Sequence, residues 1–456
     1  MSMADCVIRN AQMVTPGGVV SGGVAVAGGR ITAVGGDTSL PRARRTIDAK
    51  RQWLLPGMID PHVHLGLVLP FERDCETETR AAVAGGVTTL LSFVIEAGAA
   101  MPVLKRCAAE VEASALVNVG FHVAVMNRDH VLELPALVAA GVRTFKVFMA
   151  YRGEDGKRLG ITSANDAVLF ETLEAARALD GLVLVHAENG DLAELLLHRA
   201  RGRRDLQGWA DARPDFIEAE SIQRVAFLAG VVGAPVHVLH ISSALGVRTL
   251  AAARARGVRI SGETCPHYLL LSSDGASQSH PLLAKITPAI KGVHDQAALW
   301  AALGDGTIES LGSDHCSNHL SGKLGDDIWS TRPGFPGLET MLPLLITEGV
   351  LAGRLRLEQL VALLSTNTAR LYGLYPRKGT IAVGADADLV LVDPEEEREI
   401  DPRGFVGTSD FTPFAGRRVR GWPRLTMVRG EVVMEGGQVV GTSGSGTFVR
   451  MDRHGW

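Results

Sequence analysis

From Met58 onward, apolar runs the length of a buried strand alternate with amphipathic stretches the length of a helix. The runs cover 58–65, 88–94, 117–125, 144–149, 182–186, 236–241, 258–263 and 308–313. Helix-like segments such as 76–84, 101–113, 162–179 and 245–256 lie between them, with Thr162-Ser163 placed as an N-cap and Gly181 just past the end of that helix. Eight buried strands separated by helices predict an α/β protein built as a (β/α)8 TIM barrel, in preference to an open doubly wound sheet. Both flanks read differently. Residues 7–14, 24–27, 30–34 and 46–49 at one end, and 388–392, 425–429 and 431–434 at the other, are short strands cut by Gly-Gly or Gly turns. Two all-β pieces pair most simply into one β-sandwich, so the expected division is 1–55 and 376–456 for the sandwich and 56–375 for the barrel. The Gly/Ser-rich stretch 441–446 reads as an extended tail directed at a neighbouring subunit.

Composition narrows the class of partner. The net charge of −4 carries no basic excess, so neither nucleic acid nor an anionic membrane is expected. No run of 18 apolar residues occurs, and the first residues lack a basic segment followed by an apolar one, so neither a spanning helix nor a secretory leader is expected. Five scattered cysteines without C-x-x-C spacing point to a reducing, cytoplasmic setting.

Candidate chemistry sits at the carboxyl ends of the strands, where barrels of this kind place their reactive groups. Asp60-Pro-His62-Val-His64 carries two histidines two positions apart, which leave the same face of a strand side by side. The other strand ends carry Lys146, His186, His240 and Asp314. Four histidines and a carboxylate on one rim predict a metal site, and they exceed what one tetrahedral ion uses, so two ions are expected. Lys146 admits two readings from spacing alone. A desolvated, neutral amine could add CO2 to become a bridging carbamate, or the side chain could reach outward to water.

The chain resembles the cyclic amidohydrolases, the hydantoinases, dihydropyrimidinases, allantoinases and dihydroorotases. The likeness is carried by Asp-Pro-His62-Val-His64, Thr144-Phe-Lys146-Val-Phe-Met-Ala-Tyr151, Val185-His186-Ala-Glu-Asn189, His240-Ile-Ser-Ser, Gly262-Glu-Thr-Cys-Pro-His-Tyr268 and Gly312-Ser-Asp314-His-Cys. It implies two divalent metals, usually zinc, a CO2-derived carbamate on Lys146, and a homotetramer, with a homodimer as the alternative. It also implies that His62, His64 and Asp314 hold one ion and His186 and His240 the other, with Lys146 linking them. Asp314 would serve as the base that later returns its proton, and Tyr151 as donor to the developing oxyanion. Glu188, Asn189 and His267 read as supporting groups.

Dihydroorotases of this family carry Arg two residues after the second strand-1 histidine, and Gly66 stands there instead. Leu67 and Phe71 in the same loop suit an apolar ring substituent. Substrate contacts are expected from Tyr151, Thr287, Pro333, Gly334, Leu67 and Phe71, with Arg332 as a displaced cation. Pro333 replaces the usual Asn of hydantoinases and has no backbone N–H. The expected reaction is opening of a hydantoin or dihydropyrimidine-type ring to an N-carbamoyl acid, then allantoin, then dihydroorotate; a scaffold relative without activity would lack ligands that are all present here.

Overall fold

The computed structural model describes residues 3–152, 156, 160–274 and 280–453. Strands β1 (Ala4–Thr15), β2 (Gly18–Ala27), β3 (Arg30–Gly35), β4 (Ala43–Asp48) and β5 (Trp53–Pro56) join β15 (Leu389–Glu399), β16 (Arg418–Val428), β17 (Glu431–Glu435) and β18 (Gln438–Val439) in one nine-stranded mixed sheet. Between them in sequence lie β6 (Met58–His64), β7 (Val87–Val94), β8 (Asn118–Ala124), β9 (Thr144–Phe148), β10 (Leu182–His186), β11 (Val236–Val238), β12 (Ile260–Thr264), β13 (Ser310–Leu311) and β14 (His315–Cys316), which form a second, parallel sheet.

The two ends of the chain meet through β5, a strand too short to stand out in the sequence. Leu54 pairs with Met13 on one side and with Leu391 on the other. Strand β1 bends at Asn10, whose φ is 55°, so that its first half pairs with β4 and its second half with β5. Ile8, Val24, Leu54, Leu389 and Met427 from both ends then fill one core. The expected sandwich from both chain ends is therefore present.

The parallel sheet closes through the eighth strand, which departs from the continuous run expected over 308–313. Its first piece pairs with β12 and its second with β6, and Gly312-Ser313-Asp314 interrupts the ladder between them. The interruption frees Asp314 from strand geometry and turns it toward the barrel mouth. The sixth strand is also shorter than expected, because its ladder ends at Val238 and leaves His240 on a turn.

Two further expectations are corrected. The helix Asp166–Ala178 starts later than Thr162-Ser163 implies, since Asn165 is its cap and accepts from the N–H of Val168 at 2.9 Å. The tail, expected to extend away, returns to its own barrel. The N–H of Gly446 donates to the carbonyl of Ala115, that of Val119 to Thr447 and that of Val449 to Val119, and Val449 and Met451 are buried under the barrel floor beside Leu91, Leu182 and Tyr372. Gly446 lies so close to Val117 that a Cβ would stand 1.9 Å from its carbonyl oxygen.

Candidate metal centre

His62 and His64 leave β6 on one face, as their spacing requires, with ring centroids 5.3 Å apart. Asp314 reaches them from the closing strand: one of its oxygens lies 3.2 Å from Nε2 of His62 and 3.0 Å from Nε2 of His64. These three residues form a cluster whose ligand atoms all lie within 4.8 Å of one another. His186 and His240 pack edge to face at 4.5 Å, and His240 lies 5.1 Å from His62, which joins the two groups. Lys146, on β9, is fully buried among them, its ammonium 4.8 Å from the Phe148 ring and 5.1 Å from that of Phe93. The outward-reaching alternative for this lysine is not what the structure has.

The backbone marks the same place. Of the eight non-glycine residues with positive φ among the described ones, three are Tyr151 (65°), His240 (39°) and Asp314 (51°). Each such conformation costs about 1 kcal/mol or more for an L-residue and persists only where surrounding bonds hold it. Around Asp314, the N–H of Ser313 donates to Asp60 at 3.1 Å and that of Cys316 to Phe335. Around His240, the buried Glu218 accepts from the N–H and hydroxyl of Ser242, both at 2.8 Å. Gly312 is required by proximity, since a Cβ there would lie 2.7 Å from Cβ of His62 and 3.0 Å from the Glu263 carboxyl carbon.

The donors are prepared as metal ligands. Glu263 Oε1 lies 2.7 Å from His62 Nδ1; burial, with Asp60 and Asp314, pushes this carboxyl up, and as a carboxylate accepting from Nδ1–H it leaves Nε2 with the lone pair. Glu188 does the same to His186 Nε2 at 2.7 Å and is itself held by Arg213. Burial raises Glu188, but Arg213 and His186 outweigh it and hold the carboxyl at about 2. Burial, with Lys146 and neighbouring histidines, pushes His62 and His240 well below the ordinary imidazole range, so both are neutral. Buried His62 Nε2, His64 Nδ1 and His240 Nδ1 have no hydrogen-bond partner among the described residues. The dry, neutral imidazoles of His62 and His240, with unused nitrogens and with His64 and the Asp314 carboxylate beside them, fit divalent cations. Burial also brings the Lys146 amine down to about 7, against Asp314 and Glu263, which pull it up.

Sequence reasoning passed over Glu263 as a functional group, although it stands near the carboxyl end of β12, where position alone could have marked it. Glu188 supports His186 as expected, Asn189 caps the helix Gly190–Ala200 through the N–H of Leu192, and His267 packs against Tyr268 and Phe335.

A cleft of about 550 Å³ opens over the cluster. Tyr151, Thr287, Pro333, Gly334 and Leu67 line it together with Ile95, Phe148 and Ile161. Two expected contacts lie outside this lining. Phe71, at the start of the helix Phe71–Ala84 with its ring 5.9 Å from Phe121, lines an adjoining cleft that shares His64, Leu67 and Ile95 with this one. Arg332 is exposed outside the lining, engaged through its backbone with Lys323. Gly66 donates to the buried Asp74 at 2.9 Å, and a Cβ there would lie 3.1 Å from that of Phe71. An acidic partner in place of a cation makes that corner hostile to a substrate carboxylate.

The model of the amidohydrolase family matches residues 53–433. The D-hydantoinase of Geobacillus stearothermophilus is 37% identical, over 98% of this chain and 97% of that one. An allantoinase of Solibacter usitatus is 33% identical, over 97% and 96%. The crystal structure of dihydropyrimidinase from Brevibacillus agri superposes with a TM-score of 0.91 at 35% identity, covering all of both chains.

Proposed function

The chain belongs to the amidohydrolase family, and from that premise we propose that it is a metal-dependent hydrolase of cyclic amides, opening hydantoin- or dihydropyrimidine-type rings to N-carbamoyl amino acids. The observation that carries this is the meeting of His62, His64, Lys146, His186, His240 and Asp314 at one cleft, in a chain that matches cyclic amide hydrolases from end to end.

In this reading His62, His64 and Asp314 hold one divalent cation, His186 and His240 a second, and Lys146 joins the sites after its free amine adds CO2 and loses a proton to become a carbamate. Two such ions, most simply zinc, supply a more acidic attacking water and polarise the ring carbonyl. Glu263 and Glu188 keep His62 and His186 in the tautomers that present a lone pair. Asp314 takes the proton from the attacking water and returns it to the leaving ring nitrogen. Tyr151, held in the left-handed conformation with its ring 5.1 Å from His186, donates to the oxyanion that develops on the attacked carbonyl. Leu67, Ile95, Phe148 and Ile161 receive an apolar substituent on the ring. Assembly as a homotetramer and a cytoplasmic setting belong to the same reading; the five cysteines are unpaired and buried, and no described helix is long and apolar enough to cross a membrane.

Allantoin is the second reading, favoured by the allantoinase relative, and dihydroorotate the third, disfavoured by Gly66 and Asp74. A panel of rings, with carbamoyl product quantified by chromatography, tests the order. Aryl- or alkyl-substituted hydantoins are expected to turn over faster than allantoin or dihydroorotate, and the reverse ranking rejects this substrate class.

A further inference from the structure

Two buried lysines that no step above uses stand behind the cleft. Lys323 is 0% exposed and makes no ion pair among the described residues. Its ammonium donates to three carbonyls instead: Lys285 at 2.8 Å, Arg332 at 2.7 Å and Gly334 at 2.7 Å. Lys285, 1% exposed, sends its own ammonium to the carbonyls of Ile328 and Thr331, over the Trp209 ring at 4.2 Å. The N–H of Gly334 closes the circuit by donating to Lys285 at 3.0 Å. Trp209 holds the carbonyl of Ile286 at 2.7 Å. The tied residues adjoin or belong to two stretches of cleft wall, Ile286-Thr287 and Pro333-Gly334.

A desolvated ammonium is costly, and it is tolerated when each N–H has an acceptor. Lys323 meets that condition with three carbonyls from segments 285 and 332–334, which are far apart in sequence. An apolar residue of the same length would pack equally well and would leave those carbonyls unpaired. The N–H donors therefore do something that packing does not, and the wall they organise needs outside support. Pro333 has no N–H to bond, and Gly334 has φ of +89°, a conformation with few intrinsic restraints.

We propose that Lys323 is a positioning residue for the ring substrate, its ammonium clamping the Ile286-Thr287 and Pro333-Gly334 walls in register, with Lys285 as the second half of the clamp. The proposal rests on the reading of this cleft as a ring-binding site. It places the effect on substrate binding and not on the chemical step, because none of these groups approaches Asp314 or the histidines in the contacts above.

The test compares wild type with Lys323→Met in the metal-loaded enzyme, on the best ring of the panel. The clamp predicts KM raised about tenfold or more, since small misplacements of binding groups have effects of at least that order. It also predicts kcat within about threefold, unchanged metal content, and faster hydrogen exchange at the Gly334 amide. A KM within about twofold of wild type, whatever happens to thermal stability, overturns it and leaves Lys323 a structural residue. If wild type opens no ring, the functional reading has failed and exchange alone decides. Unchanged protection of Gly334 in the variant then rejects the clamp, and accelerated exchange supports it. Where Lys323→Met does not fold, Lys323→Leu, which likewise has no N–H donor, is judged by the same criteria.

Discussion

Glu263 Oε1 lies 2.7 Å from Nδ1 of His62, with both side chains out of water. A carboxylate in that place fixes which nitrogen of the imidazole carries hydrogen, and so which one can bind a cation. Glu263→Gln keeps an acceptor and the shape but removes the charge. The expected outcome is a metal affinity weakened by roughly 10- to 100-fold in a folded protein, read by competition with a chelating dye. Unchanged affinity would mean that Glu263 serves the core alone.

Lys146→Ala removes the amine buried among the two histidine groups, the one proposed to link them as a carbamate. Metal retention and turnover are both expected to be lost, with partial recovery on adding short carboxylic acids that occupy the vacated space. Full activity in this variant rejects the bridge.

The same lysine sets a pH dependence. Burial lowers its amine to about 7, and CO2 adds only to the unprotonated form. Protonation below that value removes the reactive amine, and deprotonation above it restores it. Reactivation of metal-stripped protein by zinc at fixed dissolved CO2 is therefore expected to be faster at pH 8 than at pH 6, by about tenfold. A rate that falls as pH rises contradicts the assignment.

Gly312→Ala places a methyl group 2.7 Å from Cβ of His62. Something must move, and what moves is the junction of His62, Glu263 and Asp314. Overpacking of this kind costs about 1–3 kcal/mol of stability, and a displaced ligand set is expected to lower kcat/KM by about 100-fold. Steady-state kinetics with metal in excess measure the second effect separately from the first.

Truncation at Gly446 removes Val449 and Met451 from beneath the barrel. Each buried side chain contributes about 1.5–3 kcal/mol, so a clear fall in Tm is expected by calorimetry, with turnover preserved at low temperature. An unchanged Tm would show that the tail only lies against the floor.

The metal cluster was legible in the sequence because barrel strands are continuous apolar runs and their carboxyl ends face one rim. Reading only those ends brought His62, Lys146, His186 and His240 together without any coordinates. What escaped has identifiable reasons. Strand β5 is four residues long and carries no periodicity of its own. Glu263 looks like any polar strand end until its distance to His62 is known. The break of the eighth strand depends on a positive φ at Asp314, which residue type alone does not announce. Phe71 follows the loop that holds Leu67, yet it starts a helix and lines the adjoining cleft instead of the one over the cluster. The tail is polar and glycine-rich up to Gly446, and the two residues that anchor it, Val449 and Met451, come after the stretch that reads as extended.

If this cluster holds two catalytic cations, the metal content of the protein shows it. Protein purified, stripped, reconstituted with zinc and bicarbonate and freed of excess ion by gel filtration is expected to carry two zinc ions per chain by mass spectrometry. A protein that retains none under those conditions contradicts the account.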